Sequence, residues 1–196
     1  TLGASEVLVV DRNMTENEAR SSVLVTDPAF VRISVAPVGA PAGEAPPVIG
    51  LHAADRYDVV LDIERCLLQS DAMNTLLATL RDEVRARALS VWDAATETGL
   101  LRFVTVREGR HTGERMVNVV AAAPEVEGLG PLAEALRARV PSTASVVLNV
   151  NAKKASVAVG SEEHRLLGRE HITELLGGLR FQISANSFFQ TNTDQA

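Results

Sequence analysis

Apolar and polar residues follow one another with a strand-like spacing in the first third of the chain. Short apolar or alternating runs of this kind predict β-strands at residues 7–10, 23–25, 31–35, 48–51 and 59–63. Between the third and fourth runs, residues 36–47 read APVGAPAGEAPP, with four prolines and the period of neither regular element. Because proline and glycine interrupt regular structure, this stretch predicts a loop. The pattern therefore indicates a β-rich region that is divided by a linker.

The spacing of the apolar residues becomes helical after Ser70. From here they recur every three or four positions, at Met73, Leu76, Leu77, Leu80, Val84 and Val91. Ser70 or Asp71 is predicted to cap the first free amide groups of this helix.

The central region then predicts three more strands and a second helix. The strands are expected at residues 100–106, 116–121 and 146–150, and the first two are joined by a polar hairpin connection, 107–115. A short amphipathic helix begins near Gly130 and ends before Pro141. Helix, strand, strand, helix and strand is the order of an α+β fold, a mainly antiparallel sheet with helices packed on one face.

The length and composition are those of a folded protein. The 196 residues are 46% apolar and 22% charged, which is enough for a hydrophobic core. No run reaches the roughly 18 to 20 apolar residues that cross a bilayer, and the first residues lack the features of a signal peptide. We therefore expect a cytoplasmic protein without a membrane partner. The single cysteine, Cys66, excludes an internal disulfide framework and leaves a cysteine metal site short of ligands.

The net charge of −6 argues against binding of nucleic acid by the whole surface, because phosphates are neutralised by lysine and arginine. Basic residues nevertheless gather locally, at Arg102, Arg107, Arg110 and Arg115 and again at Lys153 and Lys154. Two interpretations stay open at this point. The clusters are either solvated faces of the fold or contacts for phosphate groups.

The last residues, 181–196, combine aromatic and polar side chains in the sequence FQISANSFFQTNTDQA. A buried strand tolerates so many polar atoms only if other groups satisfy them. Phe188 and Phe189 suit either the core or a platform for base stacking, and Gln190 suits either a turn or a ligand contact. Composition alone does not choose between these alternatives.

Specific motifs in the chain resemble those of the RNA 5-methyluridine methyltransferases. The pattern Ile183-Ser184-x-x-Ser187-Phe188-Phe189-Gln190-x-Asn192 is similar to the segment that introduces their catalytic domain. The stretch from Leu101 to Asn118 is similar to their central hairpin, where an L-R-x-x-x-x-R strand leads into a T-G-E-x-M-V strand. Gly50, residues 58–63 and Cys66 resemble a third stretch, so the resemblance extends from about residue 48 to residue 196.

The resemblance implies particular roles for individual residues. Gln190 would contact the methyl donor S-adenosylmethionine, and Cys66 would correspond to the fourth thiolate of a [4Fe-4S] cluster whose other three cysteines are missing here. By itself, a lone cysteine is more often a small buried apolar residue than a ligand. The partner would be RNA, ribosomal or transfer, and not DNA. The arginines at 102, 107, 110 and 115, with Lys153 and Lys154, are the candidate phosphate contacts.

The resemblance also predicts how the chain is divided. We expect a β-rich segment with the loop at residues 1–47, an α+β central domain at 48–180, and the start of a catalytic domain at 181–196. In the family a cysteine thiolate adds to C6 of uracil, C5 takes the methyl group and a base removes the C5 proton. That cysteine and base lie further downstream, so no catalytic residue is expected in this chain and it is predicted to be inactive alone. The alternative is a ferredoxin-like protein-interaction or small-molecule-sensing module.

Overall fold

The computed structural model describes residues 30–36, 47–53, 56–67, 69–93, 96–153 and 160–189. Within these ranges the chain forms nine strands and two helices. The strands are β1 (Phe30–Ala36), β2 (Val48–Ala53), β3 (Arg56–Asp62), β4 (Leu101–Glu108), β5 (Arg115–Ala121), β6 (Thr143–Val150), β7 (Glu162–Gly168), β8 (His171–Leu176) and β9 (Leu179–Ser184). The helices are α1 (Asp71–Ala86) and α2 (Leu129–Arg139).

Seven of the described strands form one sheet, in the order β3-β2-β1-β4-β5-β6-β7. All neighbours in this sheet are antiparallel except β5 and β6, which are parallel. Because a parallel pair needs a crossover, the chain passes through α2 between these two strands. The remaining strands, β8 and β9, form a separate antiparallel hairpin.

The helices lie on one face of the sheet and enclose the main core with it. Helix α1 begins where the sequence predicts, since the Ser70 hydroxyl accepts a 3.2 Å hydrogen bond from the Met73 N–H. It ends earlier than predicted, at Ala86, and Ala88 then adopts a left-handed backbone with φ of 49°. The core joins apolar residues of both helices to one face of the strands, including Leu77, Leu80, Leu132, Leu136, Val104, Val119, Val146 and Leu148. The predicted α+β fold with helices on one face is confirmed.

The β8–β9 hairpin covers part of the opposite face of the sheet. Ile172 and Ile183, which are register partners in the hairpin, pack against Met116 and Val147 of the sheet together with Ala185. The hairpin turn is Gly177-Gly178, with φ of 57° and 79°. Positive φ at both central positions is the requirement of a tight type I′ turn, which glycine meets without strain.

Most sequence-predicted strands are present in the described part of the chain. The runs at 31–35, 48–51, 59–63, 100–106, 116–121 and 146–150 correspond to β1 to β6. The runs at 7–10 and 23–25, and residues 37–46 of the predicted loop, lie outside the described residues. Strand β1 lies in the sheet between β2 and β4. The domain boundaries at 47/48 and 180/181 stay a prediction.

Strands β7, β8 and β9 are not among the sequence predictions. Most residues of β7 are exposed, so it carries no apolar alternation that would mark it. No described helix is long and apolar enough to cross a membrane.

Candidate functional site

The segment that resembles the entrance to a catalytic domain begins in a tight turn after β9. We call residues 184–187 the post-β9 turn. Within it, the Ser184 carbonyl oxygen accepts hydrogen bonds from the Ser187 N–H at 3.3 Å and from the Ser187 hydroxyl at 3.0 Å. The turn is therefore closed by its own backbone and by one side chain.

Arg107 of β4 holds the backbone of this turn from the sheet. Its Nη1 donates to the Ser184 carbonyl oxygen at 3.1 Å, and its Nη2 donates to the Ser187 carbonyl oxygen at 2.7 Å. Burial lowers the pKa of the Arg107 guanidinium to about 10, and the nearby charge of Glu163 opposes that shift. The side chain therefore remains charged at neutral pH while it binds two neutral carbonyl groups.

A chain of asparagine amides holds the same turn through its side chain. Asn149 of β6 is fully buried, and its Nδ2 donates to Oδ1 of Asn118 at 2.8 Å. Its Oδ1 accepts from the Asn186 Nδ2 at 2.7 Å and from the Gly160 N–H at 3.3 Å. Because a buried amide is costly unless it is paired, this network fixes the position of Asn186.

The β8–β9 hairpin is fastened to the β4–β5 connection by two carboxylates. Glu174, 2% exposed, accepts from the backbone N–H groups of Arg110 at 2.6 Å and His111 at 3.1 Å. Glu114 accepts from the Thr173 N–H at 2.7 Å and pairs with Arg169. The connection and the hairpin thus form one hydrogen-bonded unit.

The two phenylalanines of the terminal motif have different surroundings. Phe189 packs against the Met116 and Val147 cluster, and its ring centroid lies 5.3 Å from that of Phe181. Phe188 is 88% exposed. Gln190, the predicted contact for the methyl donor, follows Phe189 directly but lies outside the described residues, as does Asn192.

Three of the predicted RNA-contact arginines have guanidinium groups that contact the protein itself. Arg102 is 3% exposed, donates to the Asn151 carbonyl oxygen at 2.7 Å and lies 4.7 Å from the centroid of the Trp92 ring. Burial lowers the pKa of Arg102. Arg115 pairs with Glu108, and Arg107 binds the post-β9 turn.

The other predicted RNA contacts lie at the surface or outside the described residues. Arg110 and Lys153 are exposed, whereas Lys154 is not described. Arg110 lies in the connection that leads into the first residue of β5. Lys153 lies near the other end of β5, because Asn151, two residues before it, donates its N–H to the carbonyl oxygen of Ala121, the last residue of that strand. A strand of this length separates them by about 20 Å. The structure therefore does not bring Arg110 and Lys153 together.

Cys66 lies five residues ahead of the first residue of α1 and is half-buried. Its N–H donates to the Asn74 Oδ1 at 2.8 Å, and its carbonyl oxygen accepts from the Asn74 Nδ2 at 2.9 Å. A [4Fe-4S] cluster needs four thiolates, but the chain has one cysteine. Among the described residues no group of three or more histidine, cysteine or acidic side chains is arranged to hold a metal. The donor set of this chain therefore does not fit the cluster.

Sequence reasoning missed the asparagine network and both carboxylates. The one available signal was Asn149 itself, a polar residue within the apolar run Val146-Val147-Leu148-Asn149-Val150. Such a residue must find a partner when the strand is buried. The identity of that partner depends on the fold.

The chain is similar to known RNA methyltransferases in sequence and in structure. It is 39% identical to an uncharacterized RNA methyltransferase of Chlorobaculum tepidum over 76% of this chain and 31% of that protein. It is 32% identical to one of Geobacter sulfurreducens over 100% of this chain and 37% of that protein. The chain thus spans about a third of the length of these curated relatives. No protein-family model matches it.

The structural comparison gives the same result. The fold matches the crystal structure of the tRNA (uracil-54, C5)-methyltransferase of Pyrococcus abyssi in complex with S-adenosyl-L-homocysteine. The TM-score is 0.68 and the sequence identity 25%, over 85% of this chain and 38% of the other. Similarity in sequence along most of its length, together with this fold, shows that the chain belongs to the RNA uracil-C5 methyltransferase family.

Proposed function

We propose that the protein to which this chain belongs transfers a methyl group from S-adenosylmethionine to C5 of a uridine in RNA. In this proposal the chain forms one wall of the RNA cleft and presents Gln190 to the methyl donor. The observation that carries it is the post-β9 turn, which Arg107 and Asn149 hold directly ahead of Gln190. The structurally similar tRNA methyltransferase bound to S-adenosyl-L-homocysteine supports the choice of donor.

The chain's own residues are given binding and orienting roles only. An amide such as that of Gln190 both donates and accepts hydrogen bonds, which suits the polar groups of the donor. The thiolate and the base that the chemistry needs are assigned outside this chain, so the chain alone is proposed to be inactive. The cellular site is proposed to be the cytoplasm.

RNA is proposed to contact the chain mainly through Arg110, Lys153 and Lys154, because the first two are exposed. Arg102, Arg107 and Arg115 contribute by ordering the backbone. Arg102 binds the Asn151 carbonyl oxygen close to Lys153, Arg107 binds the post-β9 turn, and Arg115 binds the Gly113 carbonyl oxygen in the β4–β5 connection. A separation of about 20 Å between Arg110 and Lys153 requires one RNA to reach both ends of β5 if it touches both residues. Both transfer and ribosomal RNA are long enough to do so. The target base must leave its stack before C5 and C6 can be reached.

The reaction is tested with the intact protein and RNA transcripts that carry tritium at C5 of uridine. Methylation at C5 replaces that hydrogen, so we expect tritium release to water in step with incorporation of the methyl group. Transcripts tritiated at C6 are the matched control and should release none. Methyl incorporation without tritium release would place the methyl group elsewhere and contradict the proposal.

The roles of the RNA contacts are tested by salt dependence. Replacing one phosphate contact should reduce the slope of log affinity against log salt by about one. We expect this result for Arg110→Ala and Lys153→Ala but not for Arg102→Ala. An unchanged slope for Arg110→Ala would contradict its assignment.

Both comparisons with known proteins favour this function over an interaction or sensing module.

A further inference from the structure

Arg107 donates hydrogen bonds from both terminal nitrogens of its guanidinium, Nη1 and Nη2, to a single short turn. The two carbonyl oxygens that it binds belong to Ser184 and Ser187, the first and last residues of the post-β9 turn. Two acceptors within one short turn suit the forked guanidinium of arginine, whereas lysine offers a single point charge. The contact thus depends on the shape of the side chain as well as on its charge.

The turn has little freedom between these anchors. Asn186, in its middle, is bound by the buried Asn149 at 2.7 Å, and Ser187 closes onto Ser184. Two residues after the turn, Phe189 packs against the sheet. Gln190 follows Ser187 by three residues in the sequence. The last described residue, Phe189, directly precedes it.

We infer that Arg107 is a positioning residue for the methyl-donor site. Its principal effect is on the binding of S-adenosylmethionine and not on the binding of RNA phosphates. This inference rests on the proposed function, in which Gln190 contacts S-adenosylmethionine. The guanidinium acts through the turn: it fixes two carbonyl groups, these set the path of residues 188 and 189, and that path places the Gln190 amide. Hydrogen bonds from a charged donor are among the stronger ones, so their loss is measurable.

The test compares Arg107→Ala, Arg107→Lys and Arg110→Ala in the intact protein. We expect Arg107→Ala to raise the Kd for S-adenosylmethionine by about 10- to 100-fold, the equivalent of losing hydrogen bonds to a charged group. The KM for the donor should rise more than kcat falls, and the salt slope of RNA binding should stay unchanged. Arg107→Lys should restore only part of the affinity because it lacks the fork. Arg110→Ala should show the opposite pattern, with a lower salt slope and an unchanged donor Kd.

Two outcomes would overturn the inference. One is a Kd for S-adenosylmethionine that is unchanged in Arg107→Ala, and the other is a salt slope of RNA binding that falls by about one, as it would for a phosphate contact. If Arg107→Ala does not fold, Arg107→Lys and Asn186→Ala replace it. Unchanged donor affinity in both of these folded variants would likewise overturn the inference. A wild-type protein that binds no donor contradicts the proposed function itself, so the two failures are distinguishable.

Discussion

The Glu174 carboxylate accepts a 2.6 Å hydrogen bond from the backbone N–H of Arg110. It also accepts from the N–H groups of His111 and Leu175, at 3.1 and 2.7 Å. Because the Glu174 side chain is almost fully buried, these amides are its main compensation for lost water. One carboxylate thus joins the hairpin on the far face of the sheet to the connection that presents the exposed Arg110.

Glu174→Gln should lower the free energy of unfolding by about 2 kcal/mol or more. The substitution keeps the shape but replaces a charged acceptor by a neutral one, and its NH₂ group would face backbone N–H donors. Urea unfolding of the two proteins gives the difference. Glu170→Gln, at an exposed position in the neighbouring loop, is the matched control and should change stability by less than about 0.5 kcal/mol. Equal losses in both variants would show that the amide contacts of Glu174 contribute nothing specific.

The ion pair of Glu114 with Arg169 should make stability depend on pH in the acid range. Burial raises the pKa of the Glu114 carboxyl, but hydrogen bonds from Arg169 and the Thr173 N–H outweigh it, and the net pKa is lowered from 4.5. Since the unfolded state then binds the proton more readily, the stabilisation is present above pH 4.5 and is lost as the pH falls through the folded value.

Glu114→Gln should therefore be less stable than the wild type at pH 7, with a difference that shrinks below about pH 4.5. Unfolding by urea over a series of pH values measures this trend. In an Arg169→Ala background the pH-dependent part should become smaller, because the paired cation is gone. A difference that stays constant from pH 7 to pH 3 would count against the ion pair as its source.

The sequence predicted the elements that are controlled by local signals and missed those that depend on tertiary contacts. Ser70 and the helical spacing after it define α1, and the apolar runs define β4, β5 and β6. The β8–β9 hairpin was missed although Gly177-Gly178 is a hairpin signal, because its flanking residues alternate weakly.

The candidate site was harder to predict than the fold. Arg107 and Arg110 are near neighbours in a basic stretch, yet the first binds the post-β9 turn and the second is exposed. Arg107 lies in β4 and Arg110 in the connection that follows it, but only the fold shows that the β8–β9 hairpin and the post-β9 turn cover the face that carries Arg107. Local pattern therefore identified the arginines without showing their contacts.

Gly109→Ala should destabilise the junction between the β4–β5 connection and the hairpin. A Cβ at this position would lie 2.6 Å from the Thr173 carbonyl oxygen and 2.5 Å from the Thr112 hydroxyl, closer than real contacts allow. We expect a loss of about 1 to 3 kcal/mol, measured by thermal or urea unfolding. Gly130→Ala is the contrasting variant, because its Cβ would meet nothing within 4 Å and it lies in α2. That change should be neutral or stabilise by up to about 1 kcal/mol. A Gly109→Ala protein as stable as the wild type would show that the hairpin does not need this close approach.

Asn149 and Asn186 should be energetically coupled, because the amide of one is the acceptor for the other at 2.7 Å. Asn149→Ala alone should cost about 2 to 3 kcal/mol, since it leaves a cavity and deprives Asn118 of its partner. Asn186→Ala should cost about 1 kcal/mol, and the double-mutant cycle should give a coupling of about 1 kcal/mol. The control cycle combines Asn149→Ala with Asp82→Ala, at an exposed position of α1 on the other face of the sheet. Its expected coupling is below about 0.5 kcal/mol. If the two cycles give the same value, the amide network does not hold the post-β9 turn, and Arg107 and the Ser187 hydrogen bonds fix it without that network.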